Sequence, residues 1–109
     1  MITNPRKISW NNPTEGIDAS GNTVAWNAST DLAGIEIELD GTPEVSVPVS
    51  LGANNFDLTT LASYKALAVG QHTIAMAVVT KEGAVSPFTS AVTFLSAVVP
   101  LVPTNIVVA

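Results

Sequence analysis

The sequence predicts an all-β domain, a sandwich or small barrel. Three observations carry that expectation. Segments of four to eight residues alternate apolar with polar; Gly and Pro punctuate them at short intervals; and Val, Ile and Thr are plentiful. Ile35, Ile37 and Leu39 alternate with Glu36, Glu38 and Asp40, the period-2 mark of a half-buried strand, and Asp40-Gly41 supplies a turn. From Glu44 to Leu51 the pattern repeats, with Val45, Val47, Val49 and Leu51 expected inward and Pro48 marking an edge strand. Asn54 to Leu58 reads as a short strand with Phe56 and Leu58 inward. Thr60 to Val69 departs from period 2: Leu61, Tyr64 and Leu67 recur every three residues among alanines, predicting one or two helical turns ended by Gly70. Gln71 to Thr80 is the clearest strand, with His72, Ile74, Met76 and Val78 on one face. Lys81-Glu82-Gly83 turns the chain into a last strand, whose face is expected to carry Phe88, Ser90, Val92 and Phe94.

Length and charge bound the rest. The chain has 109 residues, no cysteine, 4 basic and 9 acidic residues, 12% charged and 47% hydrophobic residues, with a mean hydropathy of +0.39. That length suits one domain, and the apolar fraction argues against disorder. Without Cys there is no disulfide, thiolate zinc site or thiol nucleophile. Arg6, Lys7, Lys65 and Lys81 are scattered, a poor basis for gripping nucleic acid. Arg6-Lys7 is followed by Ile8-Ser9-Trp10-Asn11-Asn12-Pro13, which is no signal-peptide core, and the tail from Ala97 to Ala109 is interrupted by Pro100 and Pro103. A soluble chain made in a cytoplasm, without an export signal or membrane segment, is expected.

Motifs for chemistry are sparse. His72 is the only histidine, and no P-loop, dinucleotide glycine set, HExxH or G-x-S-x-G pattern accompanies it. A lone His on the inward face of a strand reads as a core or corner residue, so no catalytic residue and no cofactor are expected. Glu36, Glu38 and Asp40, with Glu44 nearby, read as the solvent face of a strand, because i, i+2 carboxylates on a twisted strand do not converge on one ion. Asp18, Asn22 and Asp31 lie in a long connection with no fixed geometry. Trp26 in that connection, like Tyr64, is a candidate for stacking on a sugar ring; equally, Trp26 is placed to cover the end of the core.

Three segments resemble a fibronectin type III domain of the bacterial and phage type. Ile8-Ser9-Trp10-Asn11-Asn12-Pro13-Thr14-Glu15 is similar to its strand B and the Pro-containing loop after it. Gly34 to Gly41 resembles strand C, with Ile35 where the family often has Tyr. Leu67-Ala68-Val69-Gly70-Gln71-His72-Thr73-Ile74-Ala75-Met76, with Gly83 and Ser86-Pro87, resembles the E–F corner, strand F and the F–G loop. The resemblance implies a single fibronectin type III or Ig-like β-sandwich over residues 1–96, with a helical turn at the E–F corner. Trp10, Ile35, Ile37, Leu67, His72, Ile74 and Met76 are then its fold-defining residues. His72 stands where the family places a corner tyrosine, and an imidazole N–H can make the same bond to backbone. Two registers remain open: Trp10 as the strand B tryptophan, favoured by its Trp-x-x-Pro-Thr-Glu run, or Trp26 in a strand B over residues 23–31.

With Trp10 in strand B there is almost no room for a strand A before it. The C-terminal extension, residues 97–109, resembles that missing strand through Pro103, Ile106, Val107 and Val108. It is a candidate donor, either to its own domain or to a neighbour, or else a linker. The resemblance places the two termini at opposite poles, so the seven residues from Ser96 to Val102, about 20 Å when extended, make self-closure tight. Small chains of this type occur as virion proteins. The resemblance therefore implies a phage capsid decoration protein located in the virion. Its partners would be the major capsid protein, other virion proteins and copies of itself, with weak host-glycan contact. A tail or baseplate subunit and a glycan-binding module are the alternatives.

Overall fold

The computed structural model describes residues 1–43 and 46–109. Glu44 and Val45, expected at the start of a strand and on its inward face, lie outside the described residues. The chain is all-β, as the alternation predicts. Ten strands occur among the described residues: β1 (Ile2–Thr3), β2 (Lys7–Ser9), β3 (Glu15–Ile17), β4 (Thr23–Ala25), β5 (Leu32–Leu39), β6 (Thr42–Pro43), β7 (Val47–Pro48), β8 (Asn55–Asp57), β9 (Gly70–Thr80) and β10 (Val92–Ser96). Two four-residue helices, α1 (Ala28–Asp31) and α2 (Ala62–Lys65), and a 3-10 turn at Leu58–Thr60 interrupt them.

Strands β1, β10, β9, β5 and β6 form one sheet in that order, with β7 also paired to β5; β2 pairs with β8, and β3 with β4. The core forms where β5 and β9 run antiparallel. Leu32, Ile35, Ile37, Leu39, Ile74, Met76 and Val78 gather on one face with Leu58 and Phe94, and Ile8 of β2 and Phe56 of β8 pack against them. Ile35, Ile37 and Leu58 are fully buried, each contributing about 1.5–3 kcal/mol. Leu32 is out of phase with the odd-numbered isoleucines, yet it joins the same face because a register shift between Leu32 and Gly34 inserts an extra residue. Simple alternation does not disclose that bulge.

The hairpin at Asp40-Gly41 forms as expected. Leu39 pairs with Thr42, and Asp40 and Gly41 have φ of 54° and 77°, the left-handed pair a two-residue hairpin loop requires. Pro48 lies on the edge, opposite Gly34. At Gly34 there is no room for a side chain, since a Cβ would meet the Val47 carbonyl oxygen at 2.9 Å.

Several expectations need correction. Leu51 does not face the core; it lies beyond β7 and is exposed. Gly70 does not end the helix. Ala66 caps α2, and Gly70, with φ 139°, opens β9. The last strand is shorter and later than Phe88 to Phe94. Residues 85–90 follow β9 only loosely, through Val79 opposite Val85 and the Thr89 N–H to the Met76 carbonyl, so Ser90 and Val92 are left exposed and Phe94 alone is deeply buried.

The chain ends also differ from expectation. β1 runs parallel to β10, with Ile2 opposite Phe94. Asn4 then bonds to Ala97 in both directions, Nδ2 to the carbonyl at 2.8 Å and Oδ1 from the N–H at 3.0 Å. The N-terminal strand and the start of the C-terminal extension are therefore neighbours, not at opposite poles. The edge of β10 is occupied by β1, while β2 has β8 as its only strand neighbour among the described residues.

Two substitutions check this packing by chemical denaturation. Ile37→Ala is expected to cost about 2–5 kcal/mol by leaving a cavity. Gly34→Ala is expected to cost about 1–3 kcal/mol by forcing β7 off β5.

Candidate interaction surface

Beside scattered exposed apolar side chains such as Met1, Ile2, Leu51, Val69 and Val92, two places stand out as surfaces. The first is the extension. Residues 97–109 belong to no strand or helix and, apart from the Asn4–Ala97 pair, make no hydrogen bond among the described residues. Pro100 and Pro103 restrict φ and keep the backbone extended. Thirteen residues reach about 40 Å at 3.3 Å each, which accounts for a molecule 75 Å long but only 24 × 21 Å across. Leu101 is 91% exposed and Ile106 94% exposed; Val107 and Val108 are similarly bare. The structure thus leaves Pro103, Ile106, Val107 and Val108 together on an unpaired segment.

The second place is a groove of about 500 Å³ at the pole where β9 ends. Ile17 and Trp26 from the β3–β4 hairpin line it on one side, and Val85 and Pro87 on the other, with Val78 between them. Ile17 is 70% exposed. Trp26 is half-buried, packs against the core and donates its backbone N–H to the Thr14 carbonyl at 2.9 Å. It is therefore a wall of the groove rather than a free platform. Trp10 follows β2, whose pairing with β8 continues through the Trp10 N–H to the Asn54 carbonyl at 2.9 Å. Its indole N–H donates to Asn12 Oδ1 at 2.8 Å. A short paired strand leads into each tryptophan, β2 into Trp10 and β4 into Trp26. The groove's other contributors, Ile17 and Val85, carry no strong signal: each is a lone apolar residue in a turn-rich stretch.

The fold-defining candidates meet at the core. Ile35, Ile37, Ile74 and Met76 are buried, and Leu67 packs against them half-buried. His72 is held on both sides. Nδ1 lies 2.7 Å from Asp40 Oδ2, and Nε2 lies 2.6 Å from the Ala68 carbonyl oxygen. Asp40 Oδ1 also accepts the Thr73 N–H at 3.0 Å. Both neighbours of the ring are acceptors, so the imidazolium satisfies the site and the neutral ring leaves one contact without a proton. The Ala68 carbonyl, then the Asp40 carboxylate, hold the His72 pKa above its usual 6.5. The His72 side chain, then the Thr73 N–H, hold Asp40 below 3.8. This pair ties the β5–β6 turn to β9, and the other ring nitrogen ties β9 to Ala68 before it. Tyr64 makes a further tie, donating its hydroxyl to the Pro5 carbonyl.

The carboxylates of the long connection serve the backbone. Asp18 Oδ1 accepts the N–H groups of Ser20 and Asn22, each at 2.9 Å, and Asp31 Oδ2 faces the Asn27 N–H at 3.4 Å. Among the described residues no group of three or more metal-type ligands lies together, and no helix is long and apolar enough to cross a membrane. Comparison with family models, curated proteins and solved structures finds no match to the chain.

The His72–Asp40 pair sets a pH window for stability. The raised His72 pKa stabilises the fold fully below pH 6.5, and this is lost as pH rises through the folded value. The lowered Asp40 pKa stabilises it above pH 3.8, and this is lost as pH falls through the folded value. Thermal melts should therefore show the pair's full contribution between these limits. In Asp40→Asn the decline in melting temperature above pH 6.5 should become shallower, the Ala68 contact preserving the rest.

Proposed function

We propose that the chain is a non-enzymatic virion structural protein, most specifically a phage capsid decoration subunit acting through protein contacts. The observation that carries this reading is the extension, an unpaired apolar segment about 40 Å long held clear of an otherwise closed core. Left in water, such a segment is an association liability; covered by a neighbouring subunit, it contributes apolar burial. The proposed partners are the major capsid protein and copies of the chain itself.

The proposed architecture is a fibronectin type III or Ig-like sandwich, with β2 and β8 as strands B and E, and β5, β9 and β10 as strands C, F and G. It is supported by Ile8 and Phe56 packing across onto Ile35, Ile37 and Ile74. The non-enzymatic part is supported by His72, whose ring nitrogens are both committed to Asp40 and Ala68. A glycan-binding role has weaker support, since Trp26 is tied into the core beside the groove.

Proteomic analysis of gradient-purified virus particles from the encoding source tests the reading. The chain is expected in a fixed ratio to the capsid protein. Its absence from particles that assemble normally would overturn the assignment.

A further inference from the structure

The two apolar surfaces lie at opposite ends of the domain. The extension leaves from Ser96, which pairs with Gly70 at the start of β9. The groove lies beside Val78 and Thr80 at its far end. Eight to ten residues of strand separate them, about 26–33 Å. The extension runs outward from its own domain, so it does not occupy its own groove. It contains no charged side chain, and among the described residues Glu15 is the only charged one lining the groove. An apolar donor at one pole and an apolar acceptor at the other match each other between molecules, in the head-to-tail manner that builds rings or filaments.

We propose that residues 98–108 of one copy dock in the groove between the β3–β4 hairpin and residues 84–87 of a second copy. The inference rests on the reading of the chain as a subunit-contact protein and names the contact. Leu101, Val102 and Ile106 to Val108 are the donor side chains; Ile17, Trp26 and Val85 are the acceptor surface. The unpaired edge of β2 is the competing place for the same segment. It offers the backbone groups of Lys7 and Ser9.

Two variants separate donor from acceptor. Deleting residues 98–109 removes the donor and keeps the groove. Ile17→Asp with Val85→Asp disables the groove and keeps the donor; both residues are exposed, so the core is untouched and the thermal melt should match the parent. By light scattering at about 100 µM, where a Kd near 10 µM still populates complexes, the parent chain should exceed monomer mass. Each variant alone should be monomeric, and their mixture should form a 1:1 pair and nothing larger. A monomeric parent, a groove variant that assembles like the parent, or a mixture that stays monomeric would each overturn the proposal. Adding a peptide of residues 97–109 to the labelled tail-deleted chain should shift the amide resonances of Ile17, Trp26 and Val85. Shifts confined to Lys7 and Ser9 would place the segment on β2 instead and overturn it. These measurements stand apart from the virion assignment. A chain present in particles but unable to self-associate keeps that role and loses this contact; a chain that self-associates but is absent from particles does the reverse.

Discussion

The antiparallel pairing of Leu32–Leu39 with Gly70–Thr80 governs the rest of the molecule. These are the longest strands, and their shared face supplies most of the buried side chains. Everything else is placed by reference to them. The two-residue turn at Asp40-Gly41 brings the next strand back along one side, and Gly34 lets Val47 approach closely enough to pair. On the other side Phe94 comes opposite His72, and β1 joins beyond it. At the end near Gly70 the register carries Asp40 to His72 and Thr73, so one carboxylate fastens a turn to a strand. At the other end it presents Val78 and Thr80 to the hairpin that carries Trp26. The length of β9 thereby fixes the distance between the place where the extension leaves and the place where the groove opens.

Much of this was legible in the sequence, and the reasons differ from element to element. Ile35, Ile37 and Leu39 declare their strand because one face is buried and the other meets water, and Asp40-Gly41 declares its turn because few residues adopt left-handed φ without strain. Pro48 announces an edge because it cannot donate to a ladder. What was illegible depends on partners distant in sequence. Leu51 has the same period as Val47 and Val49, but the chain leaves the sheet before it is reached. Val92 alternates correctly with Phe94, yet the loose stretch before it leaves it uncovered. Parallel pairing of Ile2–Thr3 with β10 has no local signature at all, since two residues carry no period. That pairing brings Asn4 beside Ala97. The surface behaved similarly: Trp26 and the apolar extension could be singled out, whereas Ile17 and Val85 acquire meaning only once the fold sets them across a groove from each other.

Low charge and high apolar content take on a specific sense in this arrangement. The core takes up the apolar residues of β5 and one face of β9, while Ile2, Ile17, Val24 and Val92 of shorter strands stay exposed. A large part of the exposed apolar surface lies in a Pro-stiffened segment with no strand partner among the described residues, and Ile17 and Val85 add to it in a groove at the far pole. Burial of apolar area is non-directional, so direction has to come from shape. Here a rigid strand of fixed length separates donor from acceptor and turns a sticky segment into an oriented contact. The His72–Asp40 tie lies at the end from which the extension departs, where it holds the last strand's neighbour in place.

The central claim is that the extension and the groove are covered by the same association. Carbene footprinting of side chains tests it directly, comparing dilute protein with assembled protein. The account predicts that labelling of Leu101, Val102 and Ile106 falls together with labelling of Ile17 and Val85 on assembly. An extension that stays fully labelled while assembly proceeds, or that becomes protected while Ile17 and Val85 do not, would contradict it.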